Sequence, residues 1–339
     1  MAPRYQRPDW FTKNVFNRIV AAFTRMGVSV WGSDIGGFFT LSAPQLTPEL
    51  LKRWIQVGFA SGVMRTQANG FSLPGKERRP QIFDADVLPV WTRYARLRTQ
   101  LYPYLAAAEA AYDRAGLPIM RHLALADPTD PQAAARDDEY MFGPDLLAAP
   151  VLDPAARRRT LYVPRGTWID LWRSARYRDG ALVLGDVQTV AGGRERTIPA
   201  PLDELPLLVR VGAVLPMLSP DVQTLTSYGR GVVHLSDREG ERRLLAWPRG
   251  ASASPLGPGE RVSSLERHRT WTLTFRGRRT RTYRLQASLG AMRRAFRPCA
   301  ISVRGRRLRR GRAWTYDAAS DVLRATLRLR SGRVVIQRC

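Results

Sequence analysis

VSVWGSDIGGFF (residues 28–39), with ELLKRWIQVG (49–58) and GFASGVMRT (58–66) after it, decides how the first third of the chain is read. Val28 and Val30 alternate before Gly32, and the run closes on Gly36-Gly37, the pattern of a strand that ends in a glycine turn. Thr47, Pro48 and Glu49 supply an N-cap hydroxyl, a first-turn proline and a first-turn acid, so a helix is expected to start there. GFASGVMRT reads as a second strand, with Arg65 at its end. Upstream, Phe16, Ile19, Val20 and Phe23 recur at helical spacing over 13–26, and Gly27 offers a stop. Downstream, Trp91, Tyr94, Leu97, Leu101, Leu105 and Ala108 keep one face apolar, which predicts a long helix from about Asp84 to Ala115, kinked at Pro103 and ended by Gly116. Helix and strand alternating through short links is the grammar of an α/β barrel, whose eight units need ~250 residues. Only about two such units fit here.

Beyond Gly116 the texture changes. LLAAPVL (146–152), TLYVPRG (160–166), LPLLVRVGAVLPML (205–218), TWTLTF (270–275), RTYRLQ (281–286) and RVVIQR (333–338) are short strands set between proline and glycine turns, as in antiparallel β-sandwiches. The expected fold is α/β plus all-β: the C-terminal remnant of a (β/α)8 TIM barrel over 1–116, a proximal β-domain over 117–218 and a distal one over 219–339.

Composition narrows the function classes. With 44% hydrophobic residues and nine tryptophans in 339 residues, the chain has material for cores. The formal charge of +25 suggests a polyanion partner, but Lys13, Lys52 and Lys76 are the sole lysines. The remaining basic residues are arginines scattered through strands and loops alike, which is a composition bias rather than a nucleic-acid stripe. Cys299 and Cys339 make neither a zinc site nor a disulfide framework, and leave one late disulfide open. His122, His234 and His268 are far apart in sequence and form no ligand set. No apolar run reaches the ~20 residues of a membrane helix. MAPRYQRPDW has no signal-peptide core, which leaves the compartment open and would place the chain in the cytoplasm were Met1 the true N-terminus.

Five segments, in this order, resemble glycoside hydrolase family 31, the family of α-glucosidases and α-xylosidases: VWGSDIGGFF (30–39), RWIQVGFASGVMRTQ (53–67), RTQLYPYLAAAEAAYDRAGLPIMRHLALADPTD (98–130), DDEYMFGPDLLAAPVLDP (137–154) and LYVPRGTWIDLW (161–172). The resemblance implies retaining hydrolysis of an α-linked oligosaccharide or glycoside, by a nucleophile and an acid/base carboxyl about 5–5.5 Å apart. It places the nucleophile upstream of Met1 and the acid/base near Tyr5, where no carboxylate stands; Asp9 is close but off the motif. The catalytic set in this chain is therefore expected to be empty, with the missing barrel segment as partner, and no cofactor or metal is implied. What the resemblance leaves here is a sugar subsite: Asp34 as hydroxyl acceptor, Arg65 as its brace, and Gln67 where the family usually places a histidine. Trp31 offers either a flat face to a sugar ring or barrel core, and Phe38 either a pocket wall or packing. The competing reading is a carbohydrate-binding or partner-binding β-module.

Overall fold

The computed structural model describes residues 22, 24, 26–38, 46–68 and 78–339. Of the helix expected over 13–26, most lies outside the described residues, as do Tyr5, Asp9 and Trp10; Ala22 and Thr24 are helical, and Met26 N–H donates to Ala22 O at 2.8 Å. The chain divides into two compact, interleaved units: 1–98 with 111–166 and 191–208, and 99–110 with 167–190 and 209–339.

In the first unit, β1 (Asp34–Phe38) and β2 (Arg65–Ala68) run parallel, Asp34 opposite Arg65. Between them α1 (Pro48–Phe59) starts at Thr47, whose hydroxyl accepts from Leu50 N–H at 3.1 Å. Leu51, Ile55 and Phe59, at helical spacing, form its buried face. Both strands begin later than the sequence pattern suggests. The chains around Ser29–Trp31 and Ser61–Val63 do lie side by side, joined by Val63 N–H to Trp31 O at 2.8 Å. They approach so closely that a Cβ on Gly62 would sit 2.5 Å from Ser29 O, and the regular ladder begins at Asp34. The expected turn at Gly36-Gly37 is instead the interior of β1: both glycines take positive φ, 95° and 73°, inside a register shift between Ile35 and Phe38.

The long helix is two helices, α2 (Leu88–Gln100) and α3 (Tyr102–Ala115). Pro103 has no N–H to return to residue 99, so the ladder breaks at Leu101 and resumes with Leu105 N–H to Leu101 O at 3.0 Å. A three-stranded antiparallel meander follows, β3 (Met120–His122), β4 (Tyr140–Phe142) and β5 (Leu146–Ala148), every residue of which is buried. After β6 (Arg158–Val163) the chain supplies the second unit with β7 (Thr167–Asp170), β8 (Ala175–Arg178), β9 (Ala181–Leu184) and β10 (Thr189–Ala191). It returns as β11 (Arg194–Pro199) to pair antiparallel with β6, and β12 (Leu207–Arg210) carries it across again.

The second unit is built on a nine-stranded sheet containing β13 (Val214–Met217), β14 (Glu241–Ala246), β15 (Ala251–Gly257), β16 (Glu260–Arg267), β17 (Thr270–Ser288), β18 (Pro298–Val303), β19 (Arg306–Arg307), β20 (Trp314–Asp317) and β21 (Val322–Arg338). TWTLTF and RTYRLQ, read separately from the sequence, are the two halves of β17, which pairs with β21 from Thr270↔Gln337 to Ser288↔Val322 around a break between Arg276 and Arg281. Trp271, Phe275, Tyr283, Leu285, Trp314 and Ile336 lie in its core. Cys299 and Cys339 form a disulfide with their Cα atoms 4.8 Å apart. Sheet dominates the described residues, and β1 with β2 closes no barrel.

Candidate functional site

The β1–β2 pair brings together three of the five residues singled out from the sequence. Parallel pairing sets Asp34 beside Arg65, and the two-residue repeat of a strand puts Gln67 on the same side as Arg65. Arg65 Nε donates to Asp34 Oδ1 at 2.8 Å, and Nη2 lies 2.8 Å from the same oxygen. The same Nη2 also donates to Gln67 Oε1. Arg65 therefore fixes one atom of each neighbour, leaving Asp34 Oδ2 as an acceptor and the Gln67 amide nitrogen as a donor, neither with a hydrogen-bond partner among the described residues. Both Arg65 and Gln67 are exposed and Asp34 is half-buried, so the group is open to solvent. A charged acceptor next to a neutral donor suits a pair of vicinal hydroxyls, and held in place by one guanidinium it presents them at little further entropic cost.

The other two residues stand apart. Trp31 lies before β1, half-buried, tied to β2's approach through its backbone carbonyl. Phe38 ends β1 opposite Ala68, and its side chain is outside the described residues.

The sequence reading missed the supports beneath this rim. Trp54 of α1 donates from Nε1 to Ser33 Oγ at 2.8 Å, and its ring lies where a Cβ on Gly37 would meet it at 3.2 Å. Arg79, buried, donates to Gly36 O. Ile35 points the other way, fully buried, into a space that exists because residue 58 is glycine: a Cβ there would come within 2.4 Å of Ile35 Cδ1. Arg98 donates to the carbonyls of Phe59 (2.8 Å), Ser61 and Gly62 (2.6 Å), closing the C-terminal end of α1 and holding the segment that leads to Arg65. Burial pushes the Arg98 guanidinium down to about 10, which leaves it charged at neutral pH. A tryptophan in the helical run RWIQVG carries one hint of such a role, since it stands outside the Leu51–Ile55–Phe59 face. The two arginines carry none, because their acceptors are backbone atoms remote in sequence.

Comparison with known proteins adds a family. The model of the glycosyl hydrolases family 31 TIM-barrel domain matches residues 7–108, and that of the glycosyl hydrolase family 31 C-terminal domain matches 116–215. The chain is 32% identical over 198 residues to an isomaltosyltransferase of Sporosarcina globispora, covering 56% of this chain and 17% of that protein. It is 33% identical over 190 residues to α-glucosidase 2 of Bacillus thermoamyloliquefaciens, covering 56% and 22%. Its fold is similar to that of the cycloalternan-forming enzyme from Listeria monocytogenes, solved with a pentasaccharide substrate, at a TM-score of 0.72 and 21% identity over 93% of this chain and 30% of that one. The chain thus spans about a fifth of the length of these curated relatives.

Proposed function

The chain belongs to glycoside hydrolase family 31, and on that premise we propose that it carries the sugar-binding rim of a retaining α-glycosidase rather than the reacting carboxylates. The observation that supports this is the Arg65 fork. Asp34 is the one acidic residue in β1 and β2, and a carboxylate neutralised by a guanidinium at 2.8 Å is poorly suited either to attack an anomeric carbon or to deliver a proton. It is well suited to accept from sugar hydroxyls. In this reading residues 1–116 are the last βα units of a TIM barrel, 117–218 and 219–339 are two antiparallel β-sandwiches, and the carboxylate pair comes from a barrel segment that corresponds to the rest of the relatives' length. The substrate is an α-linked oligosaccharide or glycoside.

Binding that is equal in ground and transition states does not speed hydrolysis, so the chain alone is expected to turn over neither an aryl α-glucoside nor an aryl α-xyloside. Supplying the upstream barrel segment as a second polypeptide is expected to restore activity. Asp34→Ala should then cost about tenfold or more in kcat/KM, the size expected for losing a charge-assisted hydrogen bond. Turnover by the isolated chain would overturn the assignment, with Asp9→Asn testing whether that residue is the acid. Restored activity indifferent to Asp34→Ala would remove the sugar-binding role.

A further inference from the structure

A second site lies wholly within the second unit, away from β1 and β2 in sequence and separate from the glycosidase reading. A cavity of about 230 Å3 opens among the start of β14, the β15–β16 turn, the interrupted middle of β17 and the first turn of α3. Its walls carry four arginines, Arg242, Arg278, Arg279 and Arg281, with Glu260 and Tyr102.

Arg242 is the unusual member. It shares a face of β14 with Leu244 and Ala246, two strand positions and four strand positions along, both of which are core residues. It is 8% exposed, and neither Nε nor Nη1 has a hydrogen-bond partner among the described residues. A buried guanidinium with unused donors is destabilising unless something accepts from it. The acid nearby is already engaged: both Glu260 oxygens accept from Arg281 Nη1 at 2.8 Å, and Oε1 also accepts from Arg278 N–H at 2.6 Å. Arg279 pairs with Glu239, and Arg281 Nε donates to Glu239 O at 3.2 Å. The Arg278 side chain is exposed and has no partner among the described residues. Four guanidinium groups therefore face two carboxylates, and the surplus sits on Arg242 at the base of the cavity and Arg278 at its mouth.

The backbone is shaped to hold these groups. β17 departs from its register with β21 between Arg276 and Arg281, which turns Arg278 and Arg279 out of the ladder. Gly259, at φ +69°, lies so close to Arg278 that a Cβ would come within 2.7 Å of Nη2, so the turn leaves room for the guanidinium.

We propose that this cavity binds a phosphate dianion, free or as the monoester of a small organic body. A dianion matches the surplus charge, and its tetrahedral oxygens can accept from Arg242 and Arg278 at once, where a carboxylate offers one plane and one charge. The cavity is larger than a phosphate group, and Tyr102, Pro103 and Ala106 give it an apolar side for a body attached to that group.

Titration calorimetry on the full chain at constant ionic strength tests this, with inorganic phosphate, glucose 6-phosphate and glucose as probes. Saturable binding of a phosphate species, with none for glucose, is expected. Tighter binding of glucose 6-phosphate would identify an ester as the ligand, and equal affinity would identify phosphate itself. Arg278→Gln, at an exposed position that leaves the core intact, should weaken binding about tenfold or more, and Arg242→Gln at least as much. Arg306→Gln, an exposed arginine on β19, should leave it unchanged. No saturable binding of either phosphate species would overturn the proposal. So would affinity that survives both Arg278→Gln and Arg242→Gln, or that falls as far with Arg306→Gln.

Discussion

Glu139 is buried with one carboxylate oxygen accepting Tyr162 N–H at 2.8 Å and the other without a partner. Burial, with help from the neighbouring Asp138 charge, pushes its carboxyl up from 4.5 to about 8. The folded state thus holds the proton more tightly than the unfolded chain does. Its contribution to stability is fully present below about 4.5 and is lost as pH rises through about 8. Glu139→Gln keeps an acceptor for Tyr162 and removes the charge, so urea midpoints measured at pH 5 and pH 8 should lie closer together in this variant than in the parent. An unchanged gap would mean that other groups set the pH dependence. The same scale shows what the sequence displays and what it hides. Asp34 and Arg65 are picked out by the family resemblance of the motifs around them, whereas their pairing is not legible: the pattern puts Asp34 after a strand and Arg65 at the end of one, and the parallel register sets them opposite each other at two strand starts. Trp54 and Arg79 are not picked out, because they support Ser33 and Gly36 through contacts between residues far apart in sequence, which depend on where α1 and Arg79 come to lie against β1.

At the scale of elements, the segments leading into β1 and β2 pass each other backbone to backbone at Gly62. Gly62 has no positive φ that would demand glycine; it is confined because a Cβ would lie 2.5, 2.6 and 2.7 Å from Ser29 O, Trp31 N and Trp31 O, all backbone atoms. Gly62→Ala is therefore expected to cost about 1–3 kcal/mol, the range for overpacking a rigid site, and to disturb the Asp34–Arg65 register. Urea unfolding reads the first effect, and an unchanged midpoint would show that the two segments can part without penalty. The sequence rightly marks helices at Thr47 and after Asp84 and strands from Leu146 onward, since capping and periodicity are local. It splits β17 in two because Arg276 to Thr280 break the alternation, yet the strand runs on through the interruption, sustained by β21 on its flank.

For the molecule as a whole, the alternation of patterns suggests segments in chain order, whereas the compact units are interleaved, with 99–110 grouped with residues more than a hundred positions later. Periodicity reads neighbours in sequence and does not register such returns. One closure is covalent. Cys299 and Cys339 join across a separation of 40 residues, for which loop entropy in the unfolded chain suggests about 4 kcal/mol at 25 °C. Reduction, or Cys299→Ser, is expected to lower the melting temperature by several degrees, and a melting curve indifferent to reductant would show that closing this loop does not restrict the unfolded chain by that amount. The arginine excess also takes on a structural sense at this scale: Arg53, Arg79, Arg242, Arg243 and Arg281 are all buried, so part of the positive charge lies inside rather than on a surface.

Arg53 carries this furthest, donating to the main-chain carbonyls of Ala156 (3.1 Å), Ala200 (2.8 Å), Pro201 (3.0 Å) and Glu204 (3.1 Å). Every amino acid offers a carbonyl, so this contact can be broken by substitution from one end only. In a saturation library scored for folded protein, position 53 should reject nearly everything, lysine included, because a single ammonium cannot span acceptors set around a planar fork. Ala156 and Glu204, partly exposed, should accept many replacements. Divergence at those two positions would then carry no information about whether the clamp persists, and the arginine alone would report on it.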